Sequence, residues 1–127
     1  MSYFLQNIEE LTLKNSNFRQ VLYTGQHTQL VIMSLRPNEE IGSEVHAVVD
    51  QFIRIEAGMG TLTIDGESHE VTDGSAFIIP AGSKHNVVNT STDQPLKLYT
   101  LYSPPHHKDG TVHATKEDAE ADTEDHL

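Results

Sequence analysis

The chain has 127 residues, with 19 acidic side chains against 8 lysines and arginines, so its formal net charge at pH 7 is -11. A surface of this sign repels phosphate backbones and anionic lipid, which argues against nucleic acid and membranes as partners. Cysteine is absent, which excludes thiol chemistry, and the length suits one domain. No apolar run approaches the ~20 residues of a membrane span, so we expect a soluble, cytoplasmic protein.

Short apolar and β-branched runs recur along the chain, separated by clusters of glycine, proline, asparagine and aspartate. This pattern is typical of an all-β sandwich or barrel. Asp65-Gly66 lies between two alternating runs and predicts a two-residue hairpin, because both central positions of a type I′ turn need positive φ. The predicted strands are 18–23, 28–35, 44–48, 51–56, 61–64, 68–72, 76–79, 85–89 and 96–102.

The strand-like pattern of the sequence ends after Tyr102. Pro104 and Pro105 lack a backbone donor and cannot continue a paired strand, so we expect a barrel core over about 18–103 and a surface extension over 104–127. Within one domain of residues 1–127, short helical or irregular segments are expected at both ends. One is a single helical turn around 8–11, and the other is a short helix capped by Thr115. The acidic residues at the end are predicted to form a solvated, frayed tail, with an interaction segment as the alternative.

Two histidine-containing segments suggest a metal site. Glu44 and His46 are separated by one residue, so on a strand they face the same way, and both suit a first-row divalent ion. In the next run Gln51 shares a face with apolar residues, which indicates that it points inward. Asp50 is the alternative ligand if a bulge shifts the register by one residue, and water could also replace Gln51. A strand beginning near His85 brings a third segment toward the same point.

The spacing of these residues resembles the paired motifs of the cupin family. The second motif of that family runs Gly, five residues, Pro, one residue, Gly, two residues, His, three residues and Asn, and every position is matched by Gly74, Pro80, Gly82, His85 and Asn89. The spacing of the first motif is kept, with two of its three ligand types changed, by Glu44, His46, Gln51 and Gly58.

The resemblance implies a double-stranded β-helix, or jelly-roll, barrel that holds one divalent transition metal such as iron, manganese, nickel, zinc or copper. The implied ligands are Glu44, His46, Gln51 and His85. Short cupins commonly pair through exposed strands, so a homodimer is expected. The chain also looks like short cupins labelled by similarity to mannose-6-phosphate isomerase.

These features favour a metal-dependent enzyme acting on a small oxygenated molecule, such as a sugar derivative, a dicarbonyl or a diol. Isomerisation, epimerisation or dioxygen chemistry would suit the site, with Glu44, when it is not bound to the metal, as the catalytic group that moves a proton. The alternative is a barrel that binds or senses a small molecule without converting it.

A second histidine group follows the barrel, with His106 and His107 after the two prolines and His113 further on. Loop histidines are usually solvated, and this is the expectation for all three. The alternative is a lid that brings one of them to the mouth of the cavity. Tyr102, in the last predicted strand, is expected to pack in the barrel wall.

Overall fold

The structure is a computed structural model that describes residues 2–125. Met1, His126 and Leu127, which the predicted domain and its extension include, lie outside the described residues. Two helices are described, α1 (Ile8–Lys14) and α2 (Lys116–Ala121). The strands are β1 (Arg19–Thr24), β2 (Gln29–Leu35), β3 (Glu44–Val45), β4 (Asp50–Ala57), β5 (Met59–Ile64), β6 (Glu67–Thr72), β7 (Ala76–Ile79), β8 (Lys84–Asn89), β9 (Leu96–Ser103) and β10 (Val112–His113).

The strands form two antiparallel sheets, which confirms the predicted all-β jelly roll. One sheet has the order β10-β1-β2-β9-β4-β7, and the other has the order β3-β8-β5-β6. Inward-facing side chains of both sheets share one apolar core, as expected for packed sheets with alternating faces. The fully buried members include Met33, Leu35, Ile53, Ile55, Leu96 and Leu98.

The hairpin at Asp65-Gly66 is confirmed. These residues have φ angles of 47° and 84°, and Ile64 pairs directly with Glu67 across the turn. The predicted strand at 44–48 is wrong beyond Val45, because the chain bends over the next residues and enters β4 at Asp50.

The helices lie at the two ends of the described chain. The helix α1 is longer than the predicted single turn, and Asn7 caps it by accepting a hydrogen bond from Glu10 N at 3.0 Å. It packs against β2, β4 and β9, and every residue of β2 is buried. Thr115 caps α2, as predicted, with a hydrogen bond from Asp118 N at 3.1 Å. Within residues 2–125, neither helix has the length and hydrophobicity needed to cross a membrane.

The segment after the barrel folds back onto it. It leaves β9, passes over one end of the barrel and returns as β10 to pair with β1 at the edge of the larger sheet. Asp125 is only 4% exposed, so the prediction of a solvated acidic end is wrong at this residue. The reason is that Asp125 finds hydrogen-bond donors in the folded segment, and these offset the loss of solvation.

Candidate metal centre

Three side chains converge at the end of the barrel that the C-terminal segment crosses. Glu44 lies on β3, His46 follows at the bend, and His106 comes from the segment after β9. Their ligand atoms all lie within 4.8 Å of one another. The Glu44 Oε2 and His46 Nε2 atoms are 3.4 Å apart, and the ring centroids of His46 and His106 are 4.3 Å apart. A single ion could therefore contact all three groups after small side-chain rotations.

The position of His106 corrects the prediction that the loop histidines are solvated. His106 is half-buried, and its backbone amide donates to Gln29 Oε1 at 3.1 Å. His107 and His113 are both buried. The structure thus follows the alternative in which a folded-over segment brings a histidine to the cavity.

His85 lies next to the cluster without joining it. It pairs in register with Glu44 across β3 and β8, and its ring centroid is 5.2 Å from that of His46. Its Nδ1 atom is 3.1 Å from the carbonyl oxygen of Ser83. With the proton on Nδ1 and donated to this carbonyl, Nε2 presents a lone pair. Histidines that bind metals commonly have this arrangement.

Gln51 faces inward, as predicted, and is 3% exposed. Its Nε2 donates to Thr100 Oγ1 at 3.0 Å, but its Oε1 is buried without a hydrogen-bond partner among the described residues. A buried acceptor without a partner costs about 1–3 kcal/mol, so this oxygen requires a donor or a cation. Asp50, the alternative ligand, is exposed and accepts a hydrogen bond from Ala81 N at 2.8 Å, so it does not face the cavity.

The electrostatics of the cluster suit a cation. Burial, with the charges of His85 and Arg19 acting in the same direction, lowers the pKa of His46 to about 4. His46 is therefore neutral at pH 7 and has a lone pair available for a metal. The side chain of Glu44 is 33% exposed, so the cluster reaches the surface at its carboxylate.

Tyr102 is a neighbour of the cluster that the sequence prediction assigned only to the barrel wall. Its ring centroid is 6.0 Å from that of His46, and its ring stacks on His106 at 5.5 Å. Burial raises the pKa of Tyr102 well above its ordinary value, although Arg19 acts in the opposite direction, so the phenol keeps its proton. The two-residue period of a strand could have identified it, because this period puts Tyr102 on the same face as Leu98 and Thr100, and that face is buried.

Behind Tyr102 lies a buried pair, His107 and Asp125. The His107 Nδ1 atom is 2.8 Å from Asp125 Oδ2, and its Nε2 atom is 3.3 Å from the Tyr102 hydroxyl. Burial and then Arg19 lower the pKa of His107 to about 3, outweighing the opposite effect of Asp125. A neutral His107 with its proton on Nδ1 satisfies both contacts, because Nδ1–H donates to the carboxylate and Nε2 accepts from the phenol.

The donor set fits a divalent transition-metal ion. It combines one carboxylate with two imidazoles, and imidazole suits zinc, copper, iron and nickel. Of the four predicted ligands, the structure brings Glu44 and His46 into one cluster and places His85 beside it. Gln51 is buried and pairs in register with Tyr102, a neighbour of the cluster. The sequence prediction did not assign His106 as a ligand.

Comparison with known proteins gives a family match over most of the barrel. Residues 31–102 match the family described as the Cupin domain. The chain is 49% identical over 125 residues to the protein YrkC of Bacillus subtilis (strain 168), in a match covering 93% of this chain and 66% of that protein. It is 43% identical over 113 residues to the protein L612 of Acanthamoeba polyphaga mimivirus, covering 86% of this chain and 70% of that protein. The chain thus spans about two thirds of the length of these relatives.

A solved structure is similar over nearly the whole chain. The crystal structure of BH2720 from Bacillus halodurans superposes with a TM-score of 0.91 and is 46% identical. The match covers 94% of each chain, so it includes the barrel and most of the segment that follows it.

Proposed function

This chain belongs to the cupin family, and from that premise we propose that it binds one divalent transition-metal ion and acts with it on a small oxygenated metabolite. The observation that carries the proposal is the cluster of Glu44, His46 and His106, whose ligand atoms lie within 4.8 Å of one another. The buried Oε1 of Gln51, which has no hydrogen-bond partner within residues 2–125, supports it, since a buried polar atom needs a partner.

In this proposal Glu44, His46 and His106 hold the ion, and His85 and Gln51 are the side chains that would complete its coordination. The set of imidazole, carboxylate and amide donors is compatible with iron, manganese, nickel, zinc or copper. When bound, such an ion polarises a carbonyl or orients two substrate oxygens.

The chain's own side chains assign the remaining roles. Glu44 is the carboxylate of the cluster and is partly open to solvent, so when it is not bound to the ion it can take a proton from a substrate and return it. The Tyr102 phenol stays protonated beside the cluster and can donate a hydrogen bond. These groups suit isomerisation or epimerisation of a sugar derivative or dicarbonyl, and the site also suits dioxygen chemistry on a diol.

Elemental analysis of the tag-free protein, followed by a substrate screen, tests the proposal. We expect near-equimolar metal in the wild type and metal-dependent conversion of a small sugar, dicarbonyl or diol. Glu44→Gln, reloaded with excess metal because an amide is a weaker ligand than a carboxylate, should lose conversion by about 100-fold or more, in the range for a proton-transfer group. Wild-type protein without metal after reconstitution would overturn the proposal. Metal-loaded protein that binds these molecules without converting them would favour the sensor barrel instead.

We also expect a homodimer. The edge strand β7 leaves Ile78 67% exposed, and pairing between copies would cover unpaired strand edges. Light scattering coupled to gel filtration should give a mass twice that of one chain. A mass equal to one chain at micromolar concentration would contradict this expectation.

A further inference from the structure

The segment that carries His106 is fixed to the barrel by a buried glutamine on β2. Gln29 Oε1 accepts hydrogen bonds from the backbone amides of His106 and His107, at 3.1 and 2.9 Å. Gln29 Nε2 donates to the carbonyl oxygen of His107 at 2.7 Å. Gln29 is fully buried, so one side chain inside the protein holds the backbone amides of His106 and His107 and the carbonyl group of His107.

Asp125, at the far end of the same segment, binds back to its earlier residues. Its carboxylate accepts hydrogen bonds from His107 Nδ1 at 2.8 Å, from Lys108 N at 3.1 Å and from Thr111 Oγ1 at 3.0 Å. Arg19 Nη1 lies 4.0 Å from Asp125 Oδ2, so a buried cation partly compensates its charge. A buried carboxylate with this many partners defines the position of each of them.

These contacts lead directly to the metal cluster. His106 precedes His107, whose backbone is held by Gln29 and whose ring is held between Asp125 and Tyr102. The ring of His106 is thereby packed on those of His46, Tyr102 and His107, with centroids 4.3 to 5.5 Å away. Loss of the Asp125 contacts would free the segment that delivers His106.

The geometry points to Asp125 as a positioning residue of the metal site, which acts through His107 and the Gln29-anchored segment to hold His106 against Glu44 and His46. The inference rests on the proposed function, because it takes His106 to be a ligand. It makes residues 104–125 a structural part of the site, although none of them belongs to the matched cupin region. Asp125 itself does not contact the ion.

The test compares neighbouring acidic residues of the segment. Glu124 is exposed and precedes Asp125, so Glu124→Ala removes the same charge without the buried contacts. Zn²⁺ affinity is measured by competition with a chelator, and the absorption spectrum of bound Co²⁺ reports the ligand geometry. We expect Asp125→Ala to weaken Zn²⁺ binding about tenfold and to change the Co²⁺ spectrum, in the range found when partners behind metal ligands are removed. The Zn²⁺ affinity of Asp125→Asn should lie between those of the wild type and Asp125→Ala, because its amide keeps one acceptor oxygen. The Zn²⁺ affinity of Glu124→Ala should equal that of the wild type.

A second pair of measurements separates positioning from general destabilisation. In a His106→Ala background, Asp125→Ala should cause no further loss of Zn²⁺ affinity, since the two residues act through one path. Without metal, the amides of His106 and His107 should exchange hydrogen faster in Asp125→Ala but not in Glu124→Ala, because these amides donate to Gln29.

The inference would be overturned if Asp125→Ala and Glu124→Ala changed the Zn²⁺ affinity equally. It would also be overturned if Asp125→Ala still lowered the Zn²⁺ affinity tenfold in the His106→Ala background. Both results leave a metal-binding wild type and so leave the proposed function in place. A wild type that binds no metal would overturn the proposed function and this inference with it.

Discussion

Replacing His46 with alanine should lower the affinity for Zn²⁺ by about 100-fold or more and leave the purified protein without metal. His46 is the central member of the cluster, with Glu44 at 3.4 Å on one side and the rings of His85 and His106 at 5.2 and 4.3 Å on the others. Removing even the partners behind a metal ligand commonly costs 10- to 100-fold in affinity, so loss of a ligand should cost at least as much. Elemental analysis and chelator competition would measure the change.

The chain contains a matched control for this experiment. Glu67 and His69 have the same spacing as Glu44 and His46, and their Oε2 and Nε2 atoms are 3.5 Å apart, but both side chains are exposed. His69→Ala should therefore bind Zn²⁺ as the wild type does. If His46→Ala and His69→Ala bound equally well, the ion would lie elsewhere, and the assignment of the cluster would be wrong. His46→Gln serves as a second variant in case alanine leaves a cavity that disturbs the fold.

Replacing Asn89 with alanine should lower the free energy of unfolding by about 3–5 kcal/mol, a large share of the 5–15 kcal/mol typical of a domain. Asn89 is fully buried at the end of β8. Its Nδ2 donates to the carbonyl oxygens of Leu35, Arg36 and Gln94 at 2.9–3.1 Å, and its Oδ1 accepts from Ser91 N at 3.0 Å. Each of these groups left without a partner costs about 1–3 kcal/mol where it is buried. Urea denaturation followed by circular dichroism would give the value.

Asn86 on the same strand supplies the comparison. It is half-buried, and within the described part of the chain its Oδ1 accepts a single hydrogen bond, from Gly42 N at 2.9 Å. Asn86→Ala should therefore cost only about 1 kcal/mol, the usual net value of one hydrogen bond. A loss in Asn89→Ala no larger than that in Asn86→Ala would show that Asn89 does not hold the loops together.

Local patterns predicted the barrel and two of the three residues of the cluster. The positive φ angles required by Asp65-Gly66, and the alternation that turns Gln51 inward, are properties of a few neighbouring residues. The motif ending at Asn89 was informative for a physical reason, because its asparagine joins the backbone at Leu35 and Arg36 to the backbone at Gln94. Glu44 and His46 were predicted from their one-residue spacing on a strand, and they do converge although His46 lies just beyond the end of β3.

The contribution of the C-terminal segment could not be predicted in this way. Nothing near His106 in sequence distinguishes it from a solvated loop histidine, since its position depends on Gln29, 77 residues earlier. In the same way, the acidic end shows low hydrophobicity and high charge, which normally indicate fraying. Only the tertiary structure reveals that one of those acidic residues, Asp125, is buried against a histidine.

The dependence of His106 on Gln29 also has a kinetic consequence. Gln29 lies on β2, which pairs along its length with β9, so the glutamine reaches its place only after strands far apart in sequence have met. Contacts between residues far apart in sequence form slowly, because the chain loses conformational entropy before the contacts contribute stability. The histidine can dock only on a barrel that is already largely assembled. We therefore expect metal to slow the unfolding of the finished protein while leaving the rate of its refolding nearly unchanged.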